Sequence, residues 1–152
     1  MTSDLDIRRL GADDAPLVAK LNAMFAEAFD DKESYAAAPP DEAYCRATLS
    51  RPHVIALAAM HGDQVVGGLV AYELDKLERA RREVYLYDLA VAEPYRRRGI
   101  ATRLIGRLRA IAHERGAWVV FVQADHGDDP AIALYTKLGV REDVLHFDLS
   151  VP

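Results

Sequence analysis

Cysteine is almost missing from this sequence, with Cys45 standing alone. One thiol cannot form an internal disulfide and offers no metal-ligand spacing, and such usage fits a reducing cytoplasmic setting. Cys45 itself reads as a half-buried residue of a short helix. Long apolar runs are missing as well. No stretch approaches the roughly 20 residues of a membrane helix, and "MTSDLDIRRL" lacks the apolar core of a secretory leader, so no membrane partner is expected. Basic charge is in deficit: 19 Lys and Arg stand against 24 Asp and Glu, a formal net charge of -5. A polyanion would be repelled, which argues against a general nucleic-acid partner. The five histidines, His53, His61, His113, His126 and His146, are scattered without ligand spacing, and no metal is expected.

What is present suits one packed domain spanning 1–152. Apolar residues make up 51% of the 152 and charged residues 28%, far from the composition of a disordered chain. "DLDIRRL" alternates as a short strand, and Leu17, Leu21, Met24, Phe25 and Phe29 recur at helical spacing. "DDKESYAAAPP" interrupts the pattern, and "DEAYCRATLS" forms a second short helix behind Pro40. "HVIALAAM" and "QVVGGLVAYEL" form a hairpin about "HGD". The charged "DKLERARR" leads to "EVYLYDLAV", apolar almost throughout and therefore central. In "GIATRLIGRLRAIAHERG", Ile100, Leu104, Ile105, Leu108, Ile111 and Ala112 line one helix face, with Gly116 as C-terminal stop. "AWVVFVQAD" reads as a buried strand. "DPAIALYTKLG" is a helix with Asp129 as N-cap, Pro130 at the first helical position and Gly139 as stop. "VREDVLHFDL" reads as a closing strand. The order β-α-α-β-β-β-α-β-α-β predicts an α/β (α+β) fold, a mixed central sheet flanked by helices.

Two charge features carry chemistry. In "AEPYRRRGIATRL", Arg96, Arg97, Arg98 and Gly99 immediately precede a helix. A helix N-terminus presents unpaired N–H groups and a positive dipole end, and glycine admits an anion close to the backbone. The stretch reads as a pyrophosphate cradle; a solvated basic turn and a nucleic-acid patch are the alternatives, and no aromatics interleave to favour the latter. The opposite feature is "QADHGDDPAIALYTKLG", where Asp125, Asp128 and Asp129 crowd into five positions. Repulsion makes such a loop costly unless it meets a cation.

"LAVAEPYRRRGIATRLI" resembles the acyl-coenzyme A binding motif of the GCN5-related N-acetyltransferases, with Arg96, Gly99 and Ala101 at the motif positions. "AIALYTKLGV" is similar to the same family's tyrosine-bearing helix that ends in Leu-Gly. The resemblance implies the single-domain GNAT fold, acetyl-coenzyme A as co-substrate, and frequent homodimers. More narrowly, "IALAA", "YDLAV", "RRRGIAT", "VQADHGDDPAIALYTKLG" and "HFDL" resemble the type I aminoglycoside 3-N-acetyltransferases, which inactivate gentamicin-like antibiotics. That implies an aminoglycoside as the polycationic partner.

The resemblance also implies roles. Backbone groups of Leu89, Ala90 and Val91 would hold the pantetheine arm like an added strand, and the amides of Arg97, Arg98, Gly99, Ile100, Ala101 and Thr102 the pyrophosphate. Tyr135 would be general acid toward the thiolate. For the base, Asp88 is favoured because a carboxylate in an apolar strand is costly unless wetted or paired; a structural ion-pair role is the alternative, and Glu83 is the second candidate. Gln123 stands where some relatives place a catalytic glutamate. Asp128 replaces an asparagine that contacts the coenzyme in many members. A cation wall is expected from Asp125, Asp128 and Asp129, with His126 beside them and Asp30, Asp31 and Glu33 facing, although Asp129 also suits a capping role. Tyr85, Tyr87 and Phe147 read as core. Rival readings are a polyamine or peptide-amine N-acetyltransferase and a non-catalytic acyl-coenzyme A binding module.

Overall fold

The computed structural model describes residues 4–152, so the first three residues of the stretch tested for a leader lie outside it. Strand β1 (Leu5–Arg9) leads through a short 3-10 turn (Ala12–Asp14) into helix α1 (Ala15–Ala28). Helices α2 (Lys32–Ala37) and α3 (Glu42–Leu49) follow. Next come strands β2 (Val54–His61), β3 (Gln64–Lys76) and β4 (Arg81–Val91), helix α4 (Ile100–Glu114), strand β5 (Ala117–Val122) and helix α5 (Asp129–Leu138). The sheet order is β1-β2-β3-β4-β5. Every pairing is antiparallel except β4 with β5, which is parallel. The mixed sheet flanked by helices is as expected.

Its two faces carry separate cores. Leu104, Leu108 and Ile111 of α4 pack on Ile55, Leu57, Val66, Leu69, Val84 and Leu86. On the other face, Leu21, Met24 and Phe25 of α1 pack on Ala56, Ala58 and Met60. Period-two alternation along β2 supplies both faces at once, which is why that strand is apolar almost throughout. Gly68 sets how closely α1 approaches: an added Cβ would collide with Leu21 Cδ1 and lie 2.8 Å from the Leu57 carbonyl oxygen.

Several sequence expectations need correction. The interruption at "DDKESYAAAPP" contains α2, because Asp31 accepts a hydrogen bond from the Ser34 amide and caps a single turn and a half. The cap of α5 is Asp128 rather than Asp129, its carboxylate accepting from the Ala131 amide, so Asp129 takes the first helical position. The strand "AWVVFVQAD" is not buried: β5 has no buried residue, because it lies at the sheet edge, where among the described residues no further strand pairs with it. Cys45 is fully buried. The largest departure is at the end of the chain. Residues 140–152 form no strand and are exposed throughout, Phe147 included.

Candidate active site

The site begins with an irregularity in β4. Val70 of β3 pairs with Asp88 while the next residue, Ala71, pairs with Leu86, so Tyr87 is an extra residue in the strand. Such a bulge reverses the facing of everything beyond it. Val84 and Leu86 point into the α4 core before the bulge, and Leu89 and Val91 point there after it. Without the bulge Asp88 would enter that core; with it, Asp88 shares the opposite face with Ala90, on the α1 and α2 side.

The bulge also ends the pairing of β4 with β5. The last paired residues are Leu86 and Val122, so from Asp88 to Val91 the strand pairs with β3 alone. Leu89, Ala90 and Val91 therefore line a gap on the side away from β3, where no strand bonds to them and the Val91 carbonyl accepts from Arg96. That row suits an extended, amide-bearing ligand lying as an added strand.

At the far end of the gap the chain turns into α4. Arg97 and Gly99 are both left-handed, at φ 63° and φ 77°, a conformation that is costly for arginine and free for glycine. The first helical bond runs from the Arg103 amide to the Gly99 carbonyl at 3.0 Å. The amides of Ile100, Ala101 and Thr102 are thus left for an anion. Ile100, only 2% exposed, anchors that end in the core. Arg96 folds back, its Nε donating to the Val91 carbonyl at 2.9 Å. Arg98 lies over the Tyr95 ring at 5.3 Å, and the Tyr95 hydroxyl meets His61 Nδ1 at 2.8 Å. The turn is therefore built from both side-chain and backbone constraints, and the backbone amides offer the fit to a diphosphate.

Asp88 stands among phenols. Burial alone pushes its carboxyl above the ordinary carboxylate value, with no cation near enough to pull it back. Tyr35, carried by α2, is pushed up to about 12 by burial first and then by the Asp88 charge. Tyr72 and Tyr85 are raised in the same way, burial leading, with the Asp88 carboxylate contributing to each. Tyr87 packs against both, at ring separations of 5.9 Å and 5.2 Å, and is 62% exposed. Tyr85 stacks on Phe121 at 4.6 Å and donates to Gln123 Oε1 at 2.9 Å. The expectation that Tyr85 and Tyr87 are core residues is therefore wrong for both. The signal was in the spacing, because Val84, Leu86, Leu89 and Val91 skip one position where the bulge falls.

Tyr135 lies on the other face, packed against the α4 core. Its phenol is raised by burial and then by the neighbouring Asp128 charge, so it stays protonated far above neutral pH. Glu83 sits near the start of β4, away from the gap, where it accepts from Trp118 Nε1 at 3.5 Å and pairs with Lys76 at 3.8 Å. Of the acidic residues, Asp31 is close enough to Tyr35 to raise it. Asp30 is exposed at a left-handed turn, and Glu33 is exposed on α2. Asp125, His126 and Asp128 lie in an exposed loop ahead of α5, and Asp129, the first residue of that helix, is exposed as well. Among the described residues no group of three or more potential ligands clusters as a metal site would require.

Residues 18–140 match the profile of the Acetyltransferase (GNAT) family. A Bacillus subtilis protein described as the uncharacterised N-acetyltransferase YhfO is 27% identical, over 97% of this chain and 99% of its own length. Among solved structures, an aminoglycoside acetyltransferase from an uncultured soil metagenomic sample superposes with a TM-score of 0.94 at 53% identity, covering 97% of this chain and 99% of that one. Another aminoglycoside acetyltransferase from such a sample, solved in complex with sisomicin, gives a TM-score of 0.90 at 30% identity over 99% and 98% of the two chains.

Proposed function

The chain belongs to the Acetyltransferase (GNAT) family and is an acetyl-coenzyme A dependent N-acetyltransferase, and we propose that the amine it acetylates is the 3-amine of a 2-deoxystreptamine aminoglycoside. The observation that carries the substrate class is the half-buried Asp88 carboxylate among phenols, with Asp31 near enough to raise the Tyr35 phenol as well. One exposed ion pair contributes only about 0–1 kcal/mol, so a single carboxylate selects poorly. Several carboxylates around a half-dry cleft, with aromatic faces between them, select a polycation. Whole-length likeness to the aminoglycoside acetyltransferases supports the same class. The 3-position rests on the resemblance of "QADHGDDPAIALYTKLG" to the type I enzymes.

In this reading Leu89, Ala90 and Val91 hold the pantetheine arm and the amides from Arg97 to Thr102 the diphosphate. Acetyl-coenzyme A supplies the thioester. Asp88 removes the proton from the substrate ammonium, and its raised carboxyl makes it a better base near neutral pH than an ordinary aspartate. The attacking nitrogen forms its bond to the acetyl carbon through the gap as the carbon–sulfur bond breaks. Tyr135 gives its proton to the departing thiolate, and the second proton that the nitrogen sheds as the amide forms restores the phenol, leaving the proton on Asp88 to pass to solvent. Asp125 and Asp128 hold further ammonium groups, His126 borders them, and Asp129 chiefly supports the start of α5. Asp30 and Glu33 form the outer part of the facing wall. Acetylation removes a charge the antibiotic uses, so resistance would follow.

Thiol release from acetyl-coenzyme A, run across a panel of aminoglycosides with spermidine and basic peptides alongside, tests this reading. The expected result is aminoglycoside-dependent release, with the new acetyl group mapped to the 3-amine by NMR. Release driven by spermidine or peptide but by no aminoglycoside would overturn it in favour of another amine.

A further inference from the structure

The basic turn before α4 is braced by a histidine from another part of the sheet. Arg96, Arg97 and Arg98 are consecutive, and among the described residues no carboxylate pairs with any of them. Neighbouring cations without counter-charges repel one another. Arg97 adds a left-handed backbone, which arginine adopts only at a cost. Such a turn keeps one shape only where its surroundings impose it.

Two of the arginines are held, each in its own way. Arg96 Nε donates to the Val91 carbonyl and ties the turn back to β4. The Arg98 guanidinium stands over the Tyr95 ring, 5.3 Å from its centroid. A carboxylate in the place of that ring would hold Arg98 but cancel its charge, leaving little for an anion. A ring face holds the guanidinium and leaves both its charge and its N–H donors available. Tyr95 must then stay in place itself. Its body packs against the α4 core, and its hydroxyl lies 2.8 Å from His61 Nδ1, the two rings edge to face at 63°. A bare Nδ1 accepts from the phenol and a protonated one donates to it, so the bond forms in either state of the imidazole. His61 ends β2, opposite Leu5 of β1 and Gln64 of β3. Strands on both sides make that end a firm mount for a turn that begins more than thirty residues later in the chain.

We propose that His61 is a positioning residue for the coenzyme. Through the Tyr95 hydroxyl it fixes the ring that carries Arg98, and so keeps a guanidinium with its full charge beside the diphosphate site at Gly99. The inference rests on the reading of this turn as the diphosphate site, and not on which amine is acetylated. It has a distinctive signature. Pantetheine has the amide arm and thiol of coenzyme A but no diphosphate, so a loss that acts through Arg98 falls on coenzyme A alone.

Calorimetry with coenzyme A and NMR titration with pantetheine, on the full chain and its variants, test the relay. His61 is exposed, so replacing it opens no core. His61→Ala should weaken coenzyme A binding by about fivefold, the scale of one neutral hydrogen bond, with pantetheine affinity retained. Tyr95→Phe keeps the ring and removes the hydroxyl; it should give the same loss, and the double variant no further one. His61→Asn, whose amide falls near the place of Nδ1, should recover most of the affinity. Unchanged coenzyme A affinity in His61→Ala beside a loss in Gly99→Ala would overturn the relay and leave the turn as the diphosphate site. Unchanged affinity in both would overturn the reading of the turn, and the proposal with it. Equal losses for coenzyme A and pantetheine would show a general disturbance of the fold, and additive losses in the double variant two separate effects. Either result contradicts the relay through Tyr95, as would a His61→Asn variant as weak as His61→Ala.

Discussion

Asp88 and Tyr135 lie on opposite faces of one sheet, either side of the gap that opens where β4 leaves β5. In the proposed mechanism a group bound in that gap would meet the carboxylate from the α1 side and the phenol from the α4 side, which keeps the base and the acid apart on the two faces of the sheet.

Tyr135→Phe tests the acid directly. Turnover should fall by about 10²–10⁴-fold, the usual range for a positioned acid, while acetyl-coenzyme A affinity, measured by calorimetry, stays within a few fold. Because burial and Asp128 raise the phenol, the alkaline limb of the unaltered enzyme's turnover should set in only in strongly alkaline solution. Normal turnover in the variant would remove the tyrosine from the chemistry.

Asp88→Asn separates catalysis from stability. Activity should drop by a similar order, and the acidic limb of kcat/KM should disappear with it. Stability should move the other way. The folded state holds the Asp88 carboxyl above its unfolded value by burial, so ionisation costs stability at pH values above the folded pKa. That cost vanishes below the unfolded value. The variant should accordingly have the higher Tm at neutral pH, with the advantage shrinking as pH falls through the usual carboxylate range. A Tm difference independent of pH would show that the carboxylate is not strained by burial.

Asp125→Asn addresses the cation wall. The aminoglycoside KM should rise several-fold at low salt and less at high salt, since exposed pairs are screened within about 10 Å at 0.1 M. The KM for acetyl-coenzyme A should not change. Equal damage to both would mean that the substitution disturbs the loop rather than a contact with the amine.

Gly68→Ala probes the fold. The new methyl group would strike Leu21 and crowd the Leu57 carbonyl, so α1 must shift outward, at a cost of about 1–3 kcal/mol in urea unfolding. Gly99→Ala differs, because no atom lies within 4 Å of its Cβ position. It should cost about 1–2 kcal/mol through its left-handed backbone, and it should weaken acetyl-coenzyme A binding with the turn. An unchanged coenzyme affinity would argue that the amides there hold nothing.

Local patterns determined much of this protein. The apolar spacing of α4, the glycine stop at Gly116 and the hairpin about Gly62 follow from periodicity and from backbone freedom that neighbouring residues do not share. Arg96, Arg97, Arg98 and Gly99 marked the candidate anion turn because a helix start needs little beyond its own amides to bind an anion. Tertiary structure decided what depends on who lies across from whom. The Tyr87 bulge turned Asp88 out of the α4 core and into a ring of phenols drawn from α2, β3 and β4. That register is a property of two strands together, and no single run of residues contains it. The closing "VREDVLHFDL" shows the same limit. Its alternation specifies a strand, but a strand exists only where another edge receives it, and residues 140–152 stand exposed without one.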